Sequence, residues 1–225
     1  MIVVTGASKG LGRAICDRLV RNNMKVFGLA RSVEGVPFPS ASCDVSSYDS
    51  VRNVAQSLKK DGQEITGLIN AAGIASMNLA LTTPKSISQN IINTNLLGTI
   101  YCCQNIAPLM IRNKQGSIIN FSTIAVALGL KGESIYAASK AGVEGFSRSF
   151  AREMADFGIK VNCIAPGPID TDLLKGVTEK QIKKIVSQQI IPRQFDPNSV
   201  ADLVELLLDP RSDCLSGQIF HIGGA

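Results

Sequence analysis

The chain has no tryptophan, a single histidine, and no C-x-x-C pair among its six cysteines. A His-based zinc site or a Ser-His-Asp triad would have to rest entirely on His221, so both chemistries are set aside. Cys16, Cys43, Cys102, Cys103, Cys163 and Cys214 read as free thiols of a reducing compartment rather than as disulfides, and no metal site is expected. No apolar run approaches the roughly 18 residues of a membrane span. Nor is there a basic tract with interleaved aromatics. The 23 basic and 18 acidic residues are spread along the chain, so the net charge of +5 reads as a solvated surface, with neither nucleic acid nor membrane as partner. No break in composition and no Pro/Gly/Ser-rich linker divides the 225 residues, so one domain over 1–225 is expected. Met1 is followed at once by "IVVTGAS", an apolar strand and a glycine-rich turn. This leaves no room for a leader, and a cytoplasmic protein is expected.

What the chain does have is alternation. Short β-rich runs at Ile2–Thr5, Lys25–Ala30, Ala41–Cys43, Ile65–Asn70, Ser117–Ser122, Lys160–Ala165 and Gln218–Ile222 are separated by longer helical patterns, as in parallel βαβ units. Most of the runs lack polar/apolar alternation, as expected where helices cover both faces. The reading is α/β: a doubly wound Rossmann domain with a seven-stranded parallel sheet. Leu11, Ala14, Ile15 and Leu19 form one helical stripe; Val200, Leu203, Val204 and Leu207 form another, with Asp196 as N-cap, Pro197 at N1 and Pro210 as stop. The stretch from Pro84 to Asn113 reads as one long helix kinked near its end by Pro108. Between strands two and three there is only "RSVEGVPFPS", shorter than the dozen or more residues of an ordinary parallel crossover. An extended loop is expected there.

At the N-terminus, Gly6, Gly10 and Gly12 are spaced G-x-x-x-G-x-G between a strand and a helix. Glycines allow a tight turn and close approach of a ligand, and a helix start presents free N–H groups to a pyrophosphate. Ser8, Lys9 and Leu11 complete this cradle. A dinucleotide enzyme selective for NAD places Asp or Glu about 20 residues further on. Here "GLARS" offers Ala30 and Arg31 instead. Arg31 suits a 2′-phosphate through charge-assisted bonds, with Lys9 as a second cation, so NADP(H) is the expected cofactor.

Tyr136 and Lys140 lie four apart, on one face of a helix. A phenol of pKa near 10 beside an ammonium and an oxidised nicotinamide ring is favoured as phenolate, which suits general acid–base work near neutral pH. The segments "TGASKGLG", "NAAG", "TNLLG", "FST", "YAASK" and "APGPIDT" follow in order over nearly the whole chain. Together they resemble the short-chain dehydrogenase/reductase family, most closely its 3-oxoacyl-[acyl-carrier-protein] reductase-like members. The resemblance implies that Tyr136 exchanges a proton with the carbonyl or alcohol oxygen. It implies that Lys140 binds the nicotinamide ribose and lowers the Tyr136 pKa, and that Asn95 holds a relay water. Asp44 and Val45 match the adenine-contacting pair; Asn70, Ala71, Ala72 and Gly73 match the segment beside the adenine ribose, with Ala71 in place of an Asn. Pro166, Gly167, Ile169 and Thr171 match the segment gripping the carboxamide and phosphates.

The family places a substrate-orienting Ser thirteen residues before its Tyr, and that count reaches Thr123, not Ser122. Neighbours on a strand face opposite ways, so one of the two enters the site. Thr123 is expected, unless a one-residue bulge brings in Ser122. Thr123→Ala is expected to cut turnover severely and Ser122→Ala is not. The small residues Ala137, Ala138, Ala141, Gly142 and Gly145 allow close helix packing; in the family this helix pairs across a subunit boundary, which implies a homodimer or homotetramer. The run "IAVALGL" after Thr123 walls an apolar pocket or is core. His221 is expected to be structural. Residues 168–195 match the family's substrate-covering segment. Lys175, Lys180, Lys183, Lys184 and Arg193 outnumber Asp170, Asp172 and Glu179 there, a balance that would steer an anionic carrier-bound acyl thioester. Three functions stand open: a carbonyl reductase, with 3-oxoacyl thioesters as one substrate class; a dehydrogenase of another alcohol, such as a sugar or polyol; and a nucleotide-binding sensor without catalysis.

Overall fold

Thr5, the last residue of β1 (Ile2–Thr5), pairs on one side with Leu29 of β2 (Val26–Ala30) and on the other with Asn70 of β4 (Gly67–Asn70). In this computed structural model, which describes residues 1–171, 174 and 177–225, β3 (Ser40–Ser42), β5 (Gly116–Phe121), β6 (Ile159–Pro166) and β7 (Ile219–Ile222) complete one parallel sheet. Its order is β3-β2-β1-β4-β5-β6-β7. The strand order reverses between β1 and β4, and a crevice outside the carboxyl ends at such a switch point is where open α/β sheets bind ligands. The strands lie within a residue or two of the sequence expectation.

Both faces are buried, so successive strand residues feed two cores. Val3, Leu68 and Ile118 join a cluster with α2 (Tyr48–Lys60). Val4, Ile69 and Ile119 join a second with Ile15 and Leu19 of α1 (Gly10–Arg21) and Val200, Val204 and Leu207 of α8 (Pro197–Leu208). That double burial is the reason the strands read as apolar runs. Asp196 caps α8, accepting from the Asn198 and Ser199 amides, and the helix stops two residues before Pro210.

The short crossover is an extended loop, as expected. Gly28 pairs with Ser40, and the Gly28 N–H donates to the Pro39 carbonyl at 2.8 Å. Phe38 is buried and stands where a crossover helix would cover the sheet. A Cβ on Gly28 would lie 2.7 Å from the Phe38 ring, so the glycine clears that seat. The Arg13 guanidinium sits 5.8 Å from the ring centroid and covers it from outside.

The long helix starts after Pro84, but it is not regular. α3 (Lys85–Ile92) passes into one π turn at Asn93–Leu97 and continues as α4 (Gly98–Ile111). Pro108 lies inside α4, which runs three residues past it. The irregularity expected at the proline falls instead at Asn95, and single π turns frequently sit at functional sites. A short α5 (Ala125–Leu128) precedes α6 (Ser134–Ala155), and α7 (Glu179–Val186) carries a Thr178/Gln181 capping box. In the segment 168–195, Ile169 and Phe195 pair in an isolated bridge that closes its two ends; Asp172 and Lys175 lie outside the described residues.

Candidate active site

A cleft of about 400 Å³ opens at the carboxyl ends of the strands. Gly6, Ser8, Lys9, Gly10, Leu11 and Gly12 line its floor after β1; Arg31, Asp44 and Val45 line one end; Ala71, Ala72 and Gly73 line the wall after β4. Tyr136, Lys140, Pro166 and Thr171 line the other end. Gly6 has φ +69°, and a Cβ there would sit 2.9 Å from the Ala72 Cα; a Cβ on Gly12 would fall 2.4 Å from the Gly6 carbonyl oxygen. The turn is therefore compact enough to let backbone meet a ligand. Lys9, the N-cap of α1, makes no side-chain cap bond, and the first turn holds no acid. The free N–H groups at this helix start face the cleft and suit an anion.

The electrostatics agree. Among the described residues, Lys9, Arg31 and Lys140 line the cleft against one carboxylate, Asp44, which is held by the Ser46 amide at 3.0 Å and the Ser46 hydroxyl at 2.7 Å. Lys9 and Arg31 are exposed. Glycine backbone, helix start and the lining cations fit a nicotinamide dinucleotide.

Three residues expected at the cofactor do not reach the wall. The Asn70 side chain turns beneath the sheet, donating to Asn120 Oδ1 at 2.8 Å and to the Cys103 sulfur. Gly167 leaves room for Gln189, whose Oε1 would lie 1.8 Å from a Cβ there. Ile169 is buried in the core shared with α1 and α8.

At the reacting end, Tyr136 and Lys140 are both buried, at 8% and 5% exposure. Burial first, then the Glu133 carboxylate, pushes the Tyr136 phenol well above its usual range, and a hydrogen bond with the Thr123 side chain opposes the rise. Lys140 is brought down to about 8 by burial, opposed by Cys163. Its Nζ donates to the Phe121 carbonyl at 2.8 Å. The expected depression of Tyr136 by Lys140 is therefore not a property of the chain alone. Helical spacing puts both stems on one face, but a buried ammonium needs an acceptor, and the strand-end carbonyl provides it.

Ser122 and Thr123 lie just past the end of β5. The half-buried Thr123 hydroxyl accepts from the Ala125 amide at 3.2 Å and opposes the rise of the Tyr136 pKa, while Ser122 lines the cleft and its hydroxyl donates to Glu144 Oε1 at 2.7 Å. Asn95 is fully buried in the π turn. Its amide donates to the Ile74 carbonyl at 2.9 Å and to Ser139 Oγ at 3.0 Å, and its Oδ1 accepts from the Ile74 N–H at 2.9 Å. The carboxamide braces the loop after β4 against α6. His221 is exposed on β7 and is not among the residues lining the cleft. Of "IAVALGL", Ile124 and Ala125 are buried core.

Asn90 and Thr94 also line the cleft and were not among the expected residues. Their spacing of four puts them on one face of the helix, but it is a helix rich in polar residues, so the sequence offered no signal that singled them out. Glu144 was missed as well, because its role depends on a contact 22 residues away.

A doubly wound sheet, a glycine turn at its switch point, and a Tyr/Lys pair facing it define a class, and the comparisons agree. The short chain dehydrogenase model matches residues 1–182, and the chain belongs to that family of oxidoreductases acting on CH–OH and carbonyl groups. Among curated proteins it is similar to the 3-oxoacyl-[acyl-carrier-protein] reductases of Vibrio cholerae, 32% identical over 99% of this chain and 95% of that one, and of Homo sapiens, 34% identical over 98% and 95%. Among solved structures it is similar to the aldohexose dehydrogenase of Thermoplasma acidophilum, with TM-score 0.89, 30% identity, and coverage of 99% of this chain and 92% of that one. No helix among the described residues is long and apolar enough to cross a membrane.

Proposed function

We propose that the protein is an NADP(H)-dependent reductase of carbonyl compounds, with 3-oxoacyl thioesters as the leading substrate class. The observation that carries this is the placement of Tyr136 and Lys140 in one cleft with the glycine turn and Arg31. The nicotinamide, when bound, supplies the hydride. Everything else is done by the chain. Arg31 and Lys9 hold the 2′-phosphate, the α1 N–H groups hold the pyrophosphate, and Asp44 and Val45 flank the adenine. Lys140, which lies near Gly73, exchanges the Phe121 carbonyl for ribose hydroxyls. A phenol whose pKa burial has raised keeps its proton at neutral pH, so Tyr136 arrives as an acid able to protonate a carbonyl oxygen. Thr123 orients that oxygen beside it. Asn95 keeps the β4 loop and α6 in register.

The exposed small residues Ala138, Ala141 and Gly145 of α6, the last with nothing within 4 Å of where a Cβ would stand, support a homodimer or homotetramer built on this helix. Six free cysteines suit the reducing cytoplasm. The likeness to an aldohexose dehydrogenase favours sugar oxidation as the second reading. The test is NADPH consumption with 3-oxoacyl thioesters and simple ketones, beside NADP⁺ reduction with aldoses and polyols. Turnover of the thioesters is expected. Activity confined to sugars would replace the first reading with the second, and dinucleotide binding without turnover of any substrate would make the protein a sensor.

A further inference from the structure

Three consecutive residues at the end of β5 meet three side chains one turn apart on α6. Phe121 accepts from Lys140, Ser122 donates to Glu144, and Thr123 lies close enough to Tyr136 to oppose the rise of its pKa. The outer two contacts belong to the reacting machinery. The middle one joins a hydroxyl of the cleft wall to a buried carboxylate, and Glu144 is an unusual residue to find there. It is 7% exposed and sits beside the buried Val143 and Ser147. Its one short bond is the 2.7 Å contact with the Ser122 hydroxyl, and the Arg148 guanidinium is 3.7 Å away with a largely exposed side chain. An apolar side chain would be easier to bury, because a buried carboxylate is seldom a net source of stability.

We propose that Glu144 is a positioning residue for the proton-transfer step: its bond to Ser122 sets the orientation of the strand end that carries Thr123. This rests on the reading of Tyr136 and Thr123 given above. The β5 ladder ends at Phe121, and residues 122–124 are held to β6 by Ser122 to Ile164 at 2.8 Å and Ile124 to Pro166 at 3.1 Å, and to α5 by the Ala125 amide on the Thr123 hydroxyl and the Val126 amide on the Thr123 carbonyl, both at 3.2 Å. None of these bonds ties the segment to α6. Tying the Ser122 hydroxyl to Glu144 holds the segment against α6 and so sets how Thr123, the next residue, stands to Tyr136 on the same helix. The bond also anchors the peptide whose Phe121 carbonyl receives Lys140. Displacement of a reacting group by about 1 Å costs on the order of a hundredfold in rate.

The test compares Glu144→Leu, Glu144→Gln, Ser122→Ala and Glu144→Leu/Ser122→Ala in the full chain by steady-state kinetics and by hydrogen exchange of the peptide spanning residues 121–125. Glutamine keeps the acceptor and is expected to match the parent. Leucine and Ser122→Ala are each expected to speed exchange in that peptide and to lower kcat by up to about tenfold, less than the roughly hundredfold of a 1 Å misplacement, leaving KM for NADPH unchanged. The double variant is expected to be no worse than the worse single, because both remove one contact. Parental exchange and kcat in the leucine variant, additive losses, or a glutamine variant as impaired as leucine would each overturn the proposal. If the leucine variant does not fold, Ser122→Ala and Ser122→Ala/Glu144→Gln make the same comparison. If the parent reduced no carbonyl, the functional reading would fall, while the exchange data would still decide whether Glu144 orders the strand end.

Discussion

Lys140 reaches the carbonyl of Phe121, nineteen residues before it, at 2.8 Å. The ammonium therefore closes the end of β5 onto α6 before it serves any ligand. Burial weakens its hold on its proton, bringing it to about 8 from an ordinary 10.5.

That depression has a sign in stability. Between pH 8 and 10.5 the unfolded chain keeps the Lys140 proton and the folded chain releases it, so Lys140 contributes stability that is complete above 10.5 and lost as pH falls through about 8. Relative to Lys140→Met, the cofactor-free parent is expected to gain roughly 1 kcal/mol per pH unit across this window. Urea unfolding of both proteins at pH 7, 8, 9 and 10 measures it, and parallel profiles would show that the lysine titrates normally.

Tyr136→Phe removes the proton donor while keeping the ring. Turnover is expected to fall by about 10² to 10⁴, with the dissociation constant for NADPH little changed. Thr123→Ala is expected to lose about a hundredfold in kcat and more than Ser122→Ala. A Thr123→Ala enzyme with parental kcat would mean that the orienting hydroxyl lies elsewhere.

Arg31 distinguishes the two dinucleotides. Arg31→Ala should weaken NADPH by tenfold or more, since a hydrogen bond to a charged group contributes roughly 1.5–3 kcal/mol, and should leave NADH unchanged. Fluorescence titration at one fixed salt concentration reads both. Equal parental affinities for the two cofactors would remove the 2′-phosphate role.

Phe38 stands in for a missing helix. Phe38→Ala is expected to cost about 3 kcal/mol, the lower end for burying and then deleting such a ring. Gly28→Ala should also destabilise, because the new methyl would meet the ring at 2.7 Å. Unfolding midpoints at or near the parental value would show that the ring is not part of the sheet's cover.

Much of this was legible in the residues. Apolar runs marked strands covered on both faces, and Asp196-Pro197 marked the start of α8, because capping and burial act over a few residues. The glycine spacing, Arg31 and the Tyr136/Lys140 pair were legible for the same reason: each is a local pattern. The π turn at Asn95 was not, since its cause is the fit of Asn95 between Ile74 and Ser139, partners 21 and 44 residues distant.

By itself, then, the order of amino acids determined the layered α/β fold, the glycine turn between β1 and α1, and the Tyr136/Lys140 pair on one helical face. Only the tertiary structure decided where the side chains aim: Lys140 to Phe121, Ser122 to Glu144, Thr123 to Tyr136, and Asn70 away from the cleft. Periodicity places a residue on a face. The partner it meets there depends on which buried polar group most needs a hydrogen bond, and that need arises only after the sheet and its helices have excluded water.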